Sequence, residues 1–267
     1  MKKLGPLCSC MALYGVGDQM NLEDMFRMVL DLFARLGYPP DTMAILGRGF
    51  SDKAVSFERS YKKLQKKGMQ DVTAIDIHAL YPDCKQPLVG WRIAGSINRK
   101  AGTVVFGFDE TVRGYDSEFL DELAVLFRRC FPFKYGIAYR RHLERGPVLF
   151  AYGMACGLGY SEQERREAEE ISRWFNDDID KRSFLSGLLR DVFPQNWLTD
   201  LHLSVRVGSL NLLDWIATSP SRGCLRQLES DLWSWLVEPS QTEAVRQTLA
   251  EHGLLVCLPK GDGSVEK

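Results

Sequence analysis

The chain is predicted to fold as an α+β protein, with a mixed, largely antiparallel sheet and helices packed on it in a single compact unit. Runs with helical apolar spacing and runs typical of strands follow one another without the strict strand–helix alternation of a parallel sheet. Residues 98–102 separate two apolar runs as a hairpin loop does, which indicates antiparallel neighbours. Apolar residues make up 45% of the 267 positions, enough for a sizeable core.

The first part of the chain is predicted to form a buried strand followed by two helices. Residues 4–16 resemble a leader peptide in outline, but glycines and a proline interrupt them, so we expect a buried first strand. Asn21 suits a helix N-cap, and the apolar stripe behind it ends at Gly37. A second helix is expected over residues 54–67, before Gly68.

The middle of the chain combines strand-like runs with one helix. Ser117 is expected to cap that helix, and Pro132 closes it. Apolar and β-branched residues between turn signals predict the strands, over residues 72–77, 89–97, 103–108, 135–139 and 148–152.

The last part is predicted to begin and end with helices. Ser161 with Glu164 and Ser240 with Glu243 form capping boxes, and each is expected to open a helix, the second of which ends at Gly253. Between these helices we expect a short helix and a strand region, over residues 210–216 and 225–237.

One domain is expected to span residues 1–267. The glycine-rich residues 153–159 mark a boundary between its halves, 1–152 and 160–258, and the polar residues 259–267 are expected to fray.

Composition limits the functional class. With 34 basic and 35 acidic side chains, the formal charge of −1 argues against direct nucleic-acid binding, which requires a basic excess. The seven cysteines are scattered and form no C-x-x-C pair, which favours reduced thiols in a cytoplasmic protein. No apolar stretch has the length of a membrane helix, so we expect no membrane partner.

Catalytic motifs are absent from the sequence. It has no G-x-S-x-G, H-E-x-x-H or P-loop pattern, and the glycine-rich residues 153–159 lack the spacing of a dinucleotide fingerprint. We therefore predict no catalytic, cofactor-binding or metal-binding residues. Asp76 and His78 share one face of a predicted strand, and an alternative interpretation is a metal-dependent hydrolase that uses both with a distant acid. A solvated pair is the plainer interpretation, and His202, among apolar residues, is predicted to be a core histidine.

Charge is distributed unevenly along the chain. Residues 161–180 carry eight acids against three arginines, and residues 48–67 carry seven basic residues against two acids. Both segments are interpretable as solvated helix faces or as contact surfaces for a partner. Within the acidic segment, Asp177, Asp178 and Asp180 resemble half of a calcium loop but lack its glycine and distal glutamate.

A family resemblance lies in residues 188–256. The segment contains Leu-Leu-Arg-Asp-Val-Phe-Pro-Gln-Asn-Trp-Leu from Leu188, then Leu-Leu-Asp-Trp-Ile, a Trp-Ser-Trp at 233–235, and a helix ending in Gly253-Leu-Leu-Val. This pattern resembles the C-terminal half of the immunity protein 52 family, bacterial proteins that neutralise secreted toxins inside the producing cell. The whole chain is similar to the immunity partner of a pseudomonad type VI nuclease effector. Arg190 and Trp197, which carry the resemblance, are expected to define the fold rather than to contact a partner.

The resemblance implies a non-catalytic cytoplasmic protein without cofactors. It would be monomeric when free and would bind a cognate secreted nuclease toxin, of the restriction-endonuclease-like type, in a stoichiometric complex. A further alternative is an adaptor that helps to load the effector for secretion.

The resemblance also suggests which surface contacts the toxin. A nuclease presents basic surface around its nucleic-acid cleft, and an inhibitor can place carboxylates where phosphates would lie. Trp174, on the same predicted helix, is expected to point inward beside Ile171. The candidate interface residues are the acids Glu162, Glu167, Glu169, Asp177, Asp178 and Asp180.

Overall fold

The computed structural model describes residues 5–84, 90–155, 162–174 and 183–257. The chain forms two compact units, Met1–Phe133 with Arg140–Ala151 (unit 1) and Lys134–Tyr139 with Tyr152–Lys267 (unit 2). Helices and antiparallel strand pairs occur in both units, so the predicted α+β class is confirmed.

Unit 1 is built on antiparallel strands. They are β1 (Leu7–Tyr14), β2 (Thr42–Gly47), β3 (Val55–Ser56), β4 (Val72–Leu80), β5 (Trp91–Asn98) and β6 (Thr103–Asp109), in the order β1-β6-β5-β4-β2-β3. Its helices are α1 (Leu22–Arg35), α2 (Phe57–Lys67), α3 (Ser117–Cys130) and α4 (Pro147–Ala151).

The core of unit 1 explains why these elements form. All of β1 from Cys8 to Tyr14 is inaccessible to solvent, as expected of a mostly apolar strand that is covered on both faces. Asn21 caps α1 by accepting a hydrogen bond from the backbone N–H of Asp24 at 3.2 Å. The apolar stripe of α1 then packs on the sheet, where Phe33 meets Phe106 edge to face with ring centroids 6.1 Å apart.

Unit 2 contains the rest of the described chain. Its strands are β7 (Tyr135–His142, whose last three residues belong to unit 1), β8 (Gln195–Leu198), β9 (Arg206–Val207), β10 (Leu210–Asn211), β11 (Cys224–Glu229) and β12 (Leu232–Leu236). The order β11-β12-β8-β7 is antiparallel, and β9 pairs with β10 separately. The helices are α5 (Glu162–Trp174), α6 (Asp200–Leu203), α7 (Leu212–Ala217) and α8 (Pro239–Glu251).

Residues that carry the family resemblance form the core of unit 2. Trp197 and Trp235 are fully buried, and Arg190 is 1% exposed, with its guanidinium 5.0 Å from the ring centre of Trp174. His202 is also fully buried and bonds to Thr199, so the prediction of a core histidine is confirmed. The structural interpretation of this segment therefore holds for these side chains.

The predicted strand over residues 148–152 is wrong, because this segment forms α4 instead. Gly146 takes a left-handed conformation with φ 58°, and Pro147 follows as the first helical residue. Proline at that position already has a helical φ and needs no donor, so the two residues start a helix where composition alone suggested a strand.

Other differences concern boundaries and short elements. Asp116, rather than Ser117, caps α3, because its carboxylate accepts from two backbone N–H groups at 3.1 Å. Helix α8 begins at Pro239 with a capping box of Glu238 and Gln241, slightly earlier in the chain than the predicted pair. Strand β2 was not predicted from the sequence.

Candidate interaction surfaces

The acidic segment is only partly within the described structure. Asp177, Asp178 and Asp180 lie outside the described residues, and Glu162 and Glu167 lie on α5 with side chains that are not described. Glu169 is exposed and forms an ion pair with Arg165 one turn earlier. Among the predicted interface residues, the structure thus describes one side chain, which faces solvent.

The opposite side of α5 is buried in unit 2. Ile171 is 2% exposed and Trp174 is fully buried, which confirms the inward orientation predicted for Trp174. Arg173 donates a hydrogen bond to the backbone carbonyl of Cys257 at 2.8 Å. Helix α5 is therefore held on one side by apolar packing and polar contacts while its other side meets solvent.

A largely buried ion cluster joins α5 to α8. Arg246 donates from Nε and Nη2 to the two oxygens of Asp191 at 2.8 Å each, and its Nη2 lies 2.9 Å from Glu170 Oε1. Burial opposes the charge of Arg246, but Asp191 and Glu170 hold its pKa above the ordinary value. Burial raises the pKa of Asp191 by more than Arg246 lowers it. Two-point contacts of this kind fix geometry as well as charge.

A basic ridge covers the exposed side of α2 in unit 1. Only Lys62 among its cations has a carboxylate partner in the described structure: Glu58, at 2.5 Å. This contact lowers the pKa of Glu58 through the hydrogen bond and the charge of Lys62. The ridge consists of Arg59, Lys62, Lys63, Lys66 and Lys67.

An aromatic ring orients part of this ridge. The ammonium groups of Lys63 and Lys67 lie 5.2 and 5.5 Å from the ring centre of Phe50. Lys67 also donates a hydrogen bond to the backbone carbonyl of Gly49 at 2.7 Å. These contacts restrict two otherwise flexible side chains.

A cleft of about 330 Å³ opens between α1 and α2 beside the ridge. Phe26 and Leu64 are buried at its floor, and Tyr61 stacks on Phe26 with ring centroids 6.2 Å apart. Leu30 and Met69 are half-buried at its sides. The cleft is therefore apolar inside, while Glu23, Arg27 and Gln65 supply polar groups at its rim.

The Asp76 and His78 pair lies on β4, as the hydrolase interpretation required. Ser96 donates a hydrogen bond to Asp76 Oδ1 at 2.6 Å, and burial raises the pKa of Asp76 despite that bond. His78 is 6% exposed, and burial lowers its pKa to about 4. His78 faces Thr42 across the strand pair, and within the described ranges no three His, Cys, Asp or Glu side chains are grouped as metal ligands would be. The expectation of a solvated pair is therefore wrong, because the strand face is buried.

Sequence reasoning missed two of these features. Asp191 and Arg246 are 55 positions apart, and the local sequence around either residue does not predict that they pair. The α1–α2 cleft likewise depends on how two separately predicted helices pack. The basic ridge was visible in the sequence as a cluster of charges.

Comparison with known proteins yields a similarity of fold. No protein-family model matches the chain, and no curated protein matches it. Its fold is similar to a solved structure described as the Pseudomonas aeruginosa T6SS protein PA0821, with a TM-score of 0.56 and 11% identity. The similarity covers 94% of this chain and 73% of the other. At this identity it establishes a shared fold. None of the described helices combines the length and the apolarity that a membrane crossing requires.

Proposed function

We propose that this protein is a cytoplasmic immunity protein that neutralises a cognate type VI secreted nuclease by forming a stoichiometric complex with it. The observation that carries the proposal is the fold similarity to a protein described as belonging to the T6SS, over 94% of this chain. A type VI system delivers toxins into neighbouring cells, and the producing cell needs an inhibitor of each one. The nuclease target comes from the resemblance of residues 188–256 and of the whole chain.

The buried side of α5 supports the candidate contact surface. Binding surfaces that are held rigid before the encounter lose less entropy on association. Helix α5 is anchored through Trp174, Arg173 and the Arg246 cluster, so the exposed Glu169 sits on a fixed helix. Carboxylates on its outward side would meet the basic surface that a nuclease presents to nucleic acid, and would speed the encounter.

Co-expression tests the function directly. The candidate secreted nuclease would be produced in a host cell with and without the protein. We expect full rescue of growth and a complex of defined stoichiometry, because inhibition by binding consumes one inhibitor per toxin. Continued killing at excess inhibitor would contradict the proposal, as would turnover of the toxin by catalytic amounts of inhibitor.

Charge reversal tests the proposed interface. Changing Glu162, Glu167, Glu169 and Asp178 to Lys should weaken the complex by about tenfold or more at low salt and reverse its salt dependence, because each change replaces an attraction by a repulsion that salt screens. The affinity is measured by calorimetry at low and high salt. The matched control reverses four exposed acids elsewhere: Asp18, Glu229, Glu243 and Glu251. Equal losses in both variants would mean that α5 is not the contact surface.

A further inference from the structure

We infer that the basic ridge of α2 and the α1–α2 cleft together form a second docking site, for an acidic protein segment that carries one large apolar side chain. This inference is independent of the proposed function, because it concerns unit 1 and names a different partner chemistry. Its elements are a row of cations and an apolar recess on the same helix.

The ridge presents positive charge that the described part of the chain leaves largely uncompensated. Apart from the Lys62–Glu58 contact, no carboxylate of the described chain lies within ion-pair distance of the five ridge cations. Like charges at neighbouring helix positions repel one another and cost helix stability. An acidic partner would remove that repulsion, so the cluster favours a carboxylate-rich surface.

The cleft adds an apolar element next to the charge. Tyr61 and Gln65 line the cleft, and Lys62 and Lys66 each follow one position later, roughly 100° further round the helix. A bound segment can therefore place an apolar side chain on Phe26 and Leu64 while its flanking carboxylates reach the lysines. An apolar anchor in a recess, surrounded by charged contacts, is the usual organisation of a protein-binding site.

The aromatic side chains favour a protein partner over nucleic acid. Single-stranded nucleic acids bind by stacking bases on open aromatic rings. Here the ammonium groups of Lys63 and Lys67 lie over the ring of Phe50. Tyr61 stacks on both Phe26 and Phe57, and the ring centroids of Tyr61 and Phe57 are 5.5 Å apart. These rings already contact other side chains of the protein, so the ridge offers positive charge without open rings on which bases could stack.

A labelled peptide tests the site in the full-length protein. The probe is an acetylated octapeptide of Glu and Asp with one central Phe, titrated at low and high salt and followed by fluorescence anisotropy. We expect saturable, salt-sensitive binding, and a loss of about fivefold or more when the peptide Phe is replaced by Ala, because the anchor then leaves the cleft empty.

Two protein variants assign the binding to the ridge and the cleft. The double change Lys62→Glu and Lys66→Glu should lower the affinity for the peptide by about tenfold or more. Lys100→Glu with Arg206→Glu, an equal change of net charge at exposed positions elsewhere, should leave the affinity within about twofold. Met69→Glu, at the side of the cleft, should lower the affinity for the peptide, and circular dichroism should report an unchanged fold.

The results of these titrations distinguish a peptide-docking site from non-specific charge attraction and from a nucleic-acid site. Absence of peptide binding at millimolar concentration overturns it, as does equal weakening by the ridge pair and the control pair. A short DNA duplex that binds the ridge more tightly than the peptide at the same salt also overturns it, because the site then recognises phosphates. Failure of toxin neutralisation leaves this site unaffected, since the probe is not the toxin.

Discussion

Two histidines are buried as neutral side chains, one in each unit. Burial lowers the pKa of His78 and of His202 to about 4, although a Phe184 backbone group and Asp231 partly oppose the effect at His202. His202 is held by contact with Thr199 and by stacking on Tyr135, with centroids 5.6 Å apart. A neutral imidazole keeps such contacts without the cost of a buried charge.

These histidines predict a loss of stability in mild acid. Their folded pKa of about 4 lies below the ordinary histidine value of 6.5, so as pH falls from 6.5 to 4 the unfolded chain takes up protons first. Each histidine should then reduce the free energy of unfolding by up to about 1.4 kcal/mol per pH unit. Asp76 acts in the opposite direction, because its raised pKa favours proton uptake by the folded state.

Urea unfolding at several pH values checks this prediction. His78→Gln should flatten the slope between pH 4.5 and 6 by about 1 kcal/mol per pH unit, since one titrating group is removed. His252→Gln, at an exposed position, is the control and should keep the parent slope. A His78→Gln slope equal to that of the parent would show that the buried His78 does not resist protonation.

The Arg246–Asp191 contact predicts a strong dependence on both partners. The two side chains are 19% and 14% exposed, so Arg246→Met leaves a poorly solvated carboxylate and should cost about 2–4 kcal/mol. Asp191→Leu with Arg246→Met should recover most of that loss, because the buried charge is then gone. Breaking the exposed Lys62–Glu58 pair by Lys62→Met should leave the free energy of unfolding nearly unchanged, because both side chains remain solvated. An Arg246→Met variant that is as stable as the parent would contradict this prediction.

At the scale of elements, α1 approaches β5 unusually closely. A Cβ atom on Gly95 would lie 2.6 Å from Val29 Cγ1 and 3.5 Å from Phe33 Cε2. Valine in a helix has one strongly preferred rotamer, so Val29 cannot turn away. Glycine at position 95 therefore sets the separation between the helix and the sheet.

Gly95→Ala should destabilise the protein by about 1–3 kcal/mol through overpacking. Gly114→Ala is the matched control, because a Cβ there meets nothing within 4 Å. Adding Val29→Ala to Gly95→Ala should restore part of the loss, and a double-mutant cycle from denaturant unfolding measures the coupling. Additive effects of the two changes would mean that α1 moves to accommodate the methyl group.

At the scale of the whole molecule, opposite charges lie in separate units. The basic ridge is part of unit 1 and the acidic segment is part of unit 2, while the formal net charge is −1. A small net charge with strong local patches gives directed rather than general attraction. The two proposed contact surfaces would let one molecule engage partners of opposite charge.

The proposed function predicts the solution behaviour of the free protein and of its complex with the candidate toxin. We expect a monomer of 30.4 kDa by light scattering, and a complex whose mass adds one toxin per chain. The association rate should fall by about tenfold or more between low and high salt, because steering depends on unscreened charge. Stopped-flow fluorescence measures the rate, and a salt-independent rate would contradict the proposed role of α5.

The sequence by itself determined most of the elements, because their signals are local. The apolar stripe after Asn21, the hairpin loop of residues 98–102 and the mixture of element types predicted α1, the β5–β6 pair and the α+β class. A local signal failed at α4, where Gly146 and Pro147 outweighed the apolar residues that follow. The exposed charge of α2 was also readable, since charge is a property of each residue.

Only the tertiary structure decided which distant groups meet. The Arg246–Asp191 contact, the approach of Val29 to Gly95 and the cleft between α1 and α2 each join elements whose sequences carry no mutual signal. Solvation was decided in the same way: Asp76 and His78 have the polarity of surface residues, but both are largely buried in the folded chain. Burial depends on what packs against a residue, and that is fixed by the whole chain rather than by its neighbours in sequence.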